Sequence, residues 1–417
     1  MSSYRLYLLL CGLGSFASRT AFTLNLIYQA TVVGLSPLQL VLVGTVMETV
    51  AFVTQVPTGV IADLVSRRLS VIIGYLLMGA GLVLWAIVPS YGAVLAGTVV
   101  WTIGAVCVDG AEEAWAADEI EPDRVARAFV RGGQIGQAGS LLGIGSAVAL
   151  GYAGLAVPIV AGGLLTLFLG VLLMVFMREE HWTPAVARGS WHSMRRQVAE
   201  GAGAVRRSSL LTALVAGTFF AGLASEGFDR LSQPFLLPMT GGYSPELVFG
   251  TLAAVASVGS IVVTGLAGRG LDTLDPRRTG RLLAVLQAVT AAGMIWFGLS
   301  GTWWVAVPLY LVVCLLRNTS GPIHTVWLVS ATAPGSRATV FSFQAQADAL
   351  GQIAGGPPAG LVGQRRSIGD GISMAGVFLL PAVALFAWAA RRTPSQVPEP
   401  AATWEALPEP LPGIDRG

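Results

Sequence analysis

Lysine is absent from this chain of 417 residues, in which all 25 basic residues are arginine. Charge of either sign is scarce: charged residues make up 12%, against roughly 25% in soluble domains. With 54% of residues hydrophobic, too little polar side chain remains to cover a water-facing surface. That excludes a soluble enzyme and a disordered protein as readings of the whole chain. Cysteine is nearly missing too. Cys11, Cys107 and Cys314 lie far apart in apolar runs, which excludes a disulfide scaffold and any metal-ligand spacing. Of three histidines, His181 and His192 lie in the longest polar stretch, so neither a buried Ser-His-Asp set nor a His-rich metal site is expected. No Walker motif is present, and Gly12-Leu13-Gly14 falls inside an apolar run, so it is no phosphate loop. No cofactor, metal or nucleic-acid partner is expected.

What the chain has is long hydrophobic runs, with a mean hydropathy of +0.69. A helix needs about 20 mostly apolar residues to cross roughly 30 Å of hydrocarbon. Runs of that kind predict twelve transmembrane helices near 6–31, 38–58, 69–89, 93–117, 129–150, 154–177, 210–236, 245–267, 281–300, 303–330, 339–362 and 371–390. The fold class expected is therefore an all-α membrane protein. Ser15-Phe16-Ala17 has the small-x-small form of a signal-peptide cleavage site, but the run continues to Val33 and is read as a retained first helix. Twenty arginines fall on the side of the N-terminus and two, Arg365 and Arg366, on the other. The positive-inside rule then puts both termini in the cytoplasm, with the lipid bilayer of the cell's inner membrane as solvent.

The loop 178–209 divides the chain into bundles at 1–177 and 210–392, followed by a Pro- and Glu-rich tail at 393–417 that is expected to be disordered. Within the loop, Trp191, Met194, Val198 and Val205 share one helical face with Arg195, Arg196, Arg206 and Arg207 nearby, which suits a short helix on the inner leaflet. The bundles repeat. Arg127, Ala128, Val130 and Gln134 recur 210 residues later as Arg337, Ala338, Val340 and Gln344; Arg67-Arg68 recur as Arg277-Arg278, and Asp63 falls opposite Asp272 with a one-residue slip.

Between the second and third runs stand Gly59, Ala62, Asp63, Ser66, Arg67 and Arg68. This resembles the loop signature of the major facilitator superfamily, G-x-x-A-D-x-x-G-R-R, with Ser66 in place of the second glycine. Within that superfamily the chain looks most like twelve-span drug-efflux transporters of the tetracycline and macrolide type, on Pro57-Thr58-Gly59, on Arg67-Arg68-Leu69-Ser70-Val71 and on the acidic run from Glu112 to Glu119. It departs from that branch in lacking a Gly-Pro kink in helix 5 and an Arg in helix 4. The resemblance implies two pseudo-symmetric six-helix bundles and a monomeric secondary transporter working by alternating access. It further implies export of drug-like amphipathic small molecules, with the proton as coupling ion. The alternatives are a symporter or facilitator importing a small metabolite, and a non-transporting membrane sensor. The motif residues Gly59, Asp63, Arg67, Arg68, Asp272, Arg277 and Arg278 are expected to act as an inner gate, with Arg67 and Arg68 pairing with Asp63.

A charge at the bilayer centre costs at least about 2.5 kcal/mol, so each one needs a partner or a wet cavity. The candidates for ion pairing or proton coupling are Arg19, Glu48, Asp109, Glu112, Glu113, Glu226, Asp229, Arg317 and Asp348. Depth counted at about 1.5 Å per residue brings Arg19 within reach of Glu48 or Asp109, and Arg317 level with Glu226. Asn25, Trp101, Phe220, Phe228, His324 and Trp327 are expected to line a substrate cavity between the bundles.

Overall fold

The computed structural model describes residues 2–181, 203, 205–271, 275–332 and 336–393, apart from the side chains of Val56, Val60, Ile61, Asp63, Leu64, Ala338 and residues 266–271. The expected helix within 191–205, Asp272 and the tail beyond 393 lie outside the described residues almost entirely. What is described is helical, with no strand among it.

The helices are α1 (Ser3–Phe22), α2 (Asn25–Thr31), α3 (Pro37–Leu64), α4 (Arg67–Ile87), α5 (Tyr91–Val108), α6 (Ala111–Glu119), α7 (Pro122–Gly151), α8 (Ala156–Phe176), α9 (Ser209–Leu236), α10 (Pro245–Leu271), α11 (Pro276–Leu299), α12 (Trp303–Ala331), α13 (Arg337–Arg365), α14 (Ile368–Phe378) and α15 (Leu380–Arg392). Their starts follow local chemistry. Ser66, Ser90, Ser208 and Ser367 each accept a hydrogen bond from the backbone N–H three residues on, and Pro122 and Pro276 open α7 and α11 where no N–H is needed. Hydroxyls inside the helices find partners one turn back: Thr45, Thr49, Thr54 and Thr58 on α3 each donate to the carbonyl four residues earlier.

Three of the expected spans are interrupted. The first breaks at Leu24 and the last at Leu379. The fourth breaks at Asp109-Gly110, where Gly110 takes φ 75°, a left-handed conformation that a side chain would strain. Among the described residues, nine helical stretches are long and apolar enough to cross a membrane. The long helices α1, α7 and α13 fall below that measure because they carry the polar load: Arg5 and Arg19; Arg124, Arg127, Arg131, Gln134 and Gln137; Gln344, Gln346, Asp348 and Gln352. This is the construction of a multi-pass membrane protein.

Helices α1 to α8 pack mainly among themselves, as do α9 to α15. Glycine sets the closest approaches. A Cβ on Gly139 or Gly143 of α7 would lie 2.3 Å from Gly12 O or 2.5 Å from Phe16 O of α1. In the second group, a Cβ on Gly351 or Gly355 of α13 would lie 2.1 Å from Phe219 O or 2.0 Å from Leu223 O of α9. The same four-residue glycine spacing thus makes the same helix contact twice. The two groups meet along α3 with α13, α7 with α10, and α3 with α9.

Candidate functional site

The contacts between the groups are closest at one end, with a long amide contact further along α3, Gln346 Nε2 to Gln55 Oε1 at 3.5 Å. Gly356 and Gly360 sit against Val41 and Leu38, Ser36 Oγ lies 3.2 Å from Gln364 Oε1, and Tyr152 Oη lies 3.0 Å from Ser244 Oγ. Away from that end the groups part around a cavity of about 1050 Å³. On one wall stand Arg19 of α1 and Thr23 just past its end, with Gln137 and Ser140 of α7; the other carries Asp229, Gln233, Ser257, Gln287, Arg317, His324, Gln344 and Asp348.

Arg317 of α12 grips Asp229 of α9 with both guanidinium branches, Nη1 to Oδ1 and Nη2 to Oδ2, the latter at 2.8 Å. Its Nη2 also donates to Ser225 Oγ at 3.2 Å, and the guanidinium lies 5.3 Å from the centre of the Phe228 ring. This corrects the expected pairing of Arg317 with Glu226. Glu226 is 2% exposed and is held instead by Arg230, Nε to Oε2 at 3.2 Å, one turn further along the same helix. The cause is local: an acid and a base at i and i+4 meet on one helix face. Arg230 reaches back to Met47 Sδ of α3, and a Cβ on Gly44 would fall 1.7 Å from Glu226 Oε2, so α3 and α9 touch through this pair. Glu48, one turn beyond Gly44, is within electrostatic reach of Glu226, Asp348 and Arg230. Asp348 accepts from Gln352 Nε2 at 2.9 Å, with its Oδ1 against Gly222 of α9.

The first group differs. Arg19 is exposed to the cavity, and among the described residues no acid pairs with it, which corrects the expected bond to Glu48 or Asp109. Asp109 ends α5 at the helix break, exposed and away from the cavity wall. Glu112 accepts from Tyr75 Oη at 2.9 Å inside the group, and Glu113 is exposed.

Of the residues expected to line the cavity, His324 does so; its Nε2 is 3.4 Å from Thr218 Oγ1 and its Nδ1 3.3 Å from Gln344 Nε2. Asn25 is buried and accepts from Gln29. Trp101 packs edge-on against Phe22, Phe220 against Phe219, Phe228 against Phe297 and Tyr310, and Trp327 is fully buried against Phe386. These five are packing residues rather than lining. Bulky rings gain most by leaving water, and the wall mixes amides and hydroxyls with apolar side chains such as Phe22, Leu141, Phe341 and Phe386. Gln137, Gln233, Gln287, Ser257 and Asn318 were missed as lining, and their signal was polar side chains inside otherwise apolar runs.

At the far end, Arg67 pairs with Asp118 and donates to Ala114 O, while Arg68 donates to Met177 O at 2.6 Å and Met174 O at 2.9 Å at the C-terminus of α8. Ser66 Oγ and Arg68 N bind the carboxylate of Glu179. The motif arginines thus tie helix ends of their own group together. The side chain of Asp63 is outside the described part; Gly59 and Arg278 are exposed and Arg277 is half-buried.

A family model described as Major Facilitator Superfamily matches residues 8–356. An uncharacterized MFS-type transporter, YxaM of Bacillus subtilis (strain 168), is 23% identical over 359 residues, covering 84% of this chain and 86% of that protein. Among solved structures, a variant of the nucleoside transporter NupG superposes with a TM-score of 0.78 at 14% identity, covering 94% of this chain and 99% of that one. A bacterial homologue of the human lysosomal transporter Spinster, inward-facing and unoccupied, gives 0.71 at 16% identity, covering 94% and 97%.

Proposed function

Because the chain belongs to the Major Facilitator Superfamily, we propose that it is a secondary active transporter of the inner membrane that exports small amphipathic molecules by alternating access, driven by protons. In this reading the two helix groups are six-span halves joined by the loop 178–209, twelve spans in all, with both termini in the cytoplasm. The cavity then opens to the cytoplasm and its closed end faces outward. The observation that carries the reading is the cavity itself: about 1050 Å³, lying between the groups and walled by both. That is ample for one organic solute, since small-molecule sites run to roughly 300–1000 Å³. Rocking the groups about the α3–α13 and α7–α10 contacts would close one end and open the other. The amide and hydroxyl lining favours a second reading, uptake of a small polar metabolite through the same cavity.

Proton coupling needs an acid whose surroundings change as the groups move. Glu226 meets that need better than Asp109 or Glu112. It is buried beside Arg230 where α3 packs on α9, so opening that end changes both its burial and its neighbours. Solute screens in inverted vesicles with an acid interior test the proposal. Export predicts accumulation that a protonophore collapses; accumulation only in right-side-out vesicles would support uptake instead. Glu226→Gln is expected to abolish gradient-driven accumulation while sparing counterflow. Full gradient-driven transport in that variant would remove Glu226 from the coupling step.

A further inference from the structure

The charges lining the cavity balance in number, Arg19 and Arg317 against Asp229 and Asp348, but among the described residues Arg19 alone of the four has no side-chain partner. Arg317 and Asp229 neutralise each other, and the carboxylate of Asp348 is tucked against α9 at Gly222 and held by Gln352. Arg19 faces the cavity, and among the described residues no carboxylate pairs with it. Its root is fixed: a Cβ on Gly143 of α7 would lie 2.9 Å from Arg19 Cβ, and the Arg19 carbonyl accepts from both Thr23 N, at 3.2 Å, and Thr23 Oγ1, at 2.6 Å. Gln137 and Ser140, three residues apart on α7, line the same wall and add an amide and a hydroxyl donor.

We propose that the transported solute is an anion, and that Arg19 holds its carboxylate or phosphate group with Gln137 and Ser140 as flanking donors. The proposal rests on the transport reading above and names the class of solute. A guanidinium presents a planar fork of donors that matches both oxyanions. In a cavity walled by apolar helices its charge is solvated by water only while the cavity is open; occlusion removes that water, and a counter-charge must replace it. An anionic solute supplies that counter-charge, so the loaded carrier can close. A neutral or cationic solute would leave Arg19 buried and unpaired.

The test is a thermal-shift screen on the purified full-length protein in detergent. The panel consists of aryl carboxylates and aryl phosphates, each matched with its neutral amide or alcohol and with an amine of the same skeleton. Wild-type protein is expected to be stabilised by acids over their matched partners, with at least tenfold tighter binding for the best acid. Arg19→Gln is expected to erase that preference and Arg19→Lys to keep part of it. Because Arg19 is exposed, both variants are expected to fold, and their unliganded melting temperatures check this directly. Carboxylate hits without phosphate hits, or the reverse, would name the oxyanion. Equal shifts by acid and amide, preference for amines, absence of any acid hit, or an acid preference that survives Arg19→Gln would each overturn the proposal. Transport of neutral or cationic solutes in vesicles would then leave the carrier reading standing without the anion site; anion binding without transport would do the opposite.

Discussion

Glu226 and Asp229 stand three residues apart on α9, yet each is held by a different arginine: Arg230 on the same helix and Arg317 across the gap to α12. Their environments make the two pairs unlike. Glu226–Arg230 is almost fully buried, whereas the side chain of Asp229 is 46% exposed to the cavity. Removing one partner costs in proportion to what stays behind without water. Asp229→Asn leaves the guanidinium of Arg317 beside Phe228 without a counter-charge and with two of its three hydrogen bonds, and is expected to cost about 1–2 kcal/mol after allowing for solvent screening. Arg317→Gln leaves a carboxylate that cavity water can hydrate, and is expected to cost less. The double variant should recover part of the Asp229→Asn loss; thermal unfolding of the three proteins in detergent checks the coupling, and a double variant no better than the worse single would dissolve the pair. The sequence located these charges on cavity helices but not their partners. Counting depth along a helix resolves about one turn, and Glu226 and Asp229 lie within one turn. The i,i+4 spacing of Glu226 and Arg230 was the legible sign that Glu226 was already taken.

Helices in this chain are held to one another by what glycine omits. On α7, Gly143 lies against Phe16 O and Arg19 Cβ, while Gly145, two residues on, has nothing within 4 Å of where its Cβ would be. Gly143→Ala is therefore expected to push α1 away from α7 and cost about 1–3 kcal/mol, the range for overfilling a packed contact. Gly145→Ala meets no clash and gains up to about 1 kcal/mol of helix propensity. Melting temperatures of the two variants should move in opposite directions; a shared direction would mean that helix propensity, not close contact, governs this face. Spacing of four between glycines is legible in the sequence on both α7 and α13. Helix starts were readable as well, since Ser66, Ser90 and Ser208 supply caps in the sequence itself. The break at Leu24 was not, because the apolar run passes through it without a glycine or proline, whereas Pro381 in the first turn of α15 marks the break at Leu379. Gly110 did mark the break in the fourth span, but as one glycine among many in hydrophobic surroundings it carried little signal.

A different set of glycines works between the helix groups rather than within them. Gly44 meets Glu226 and Arg230, Gly356 meets Thr45 and Val41, and Gly360 meets Leu38 and Val41, all across α3 at the closed end. The motif at Asp63, Arg67 and Arg68 made the family readable from sequence, but which end is closed was not readable, because the hydrophobic pattern encodes the core of each group and not the fewer contacts between them. The inter-group glycines therefore separate two quantities that the intra-group ones confound. A side chain at Gly143 or Gly355 strains a contact present in every conformation, so it lowers folding stability. A side chain at Gly44 strains only the closed end, so the two groups can relieve it by parting there, at the cost of the conformation described. Gly44→Ala is expected to move the population toward the alternative state with little change in melting temperature. In a background with Cys11, Cys107 and Cys314 replaced by serine, a cysteine at Ser36 should then label faster and one at Ser257, on the cavity wall, more slowly. Unchanged labelling at both positions in a folded Gly44→Ala protein would mean that α3 and α9 tolerate the extra methyl without parting, and the closed end would owe its closure to the α7–α10 contacts instead.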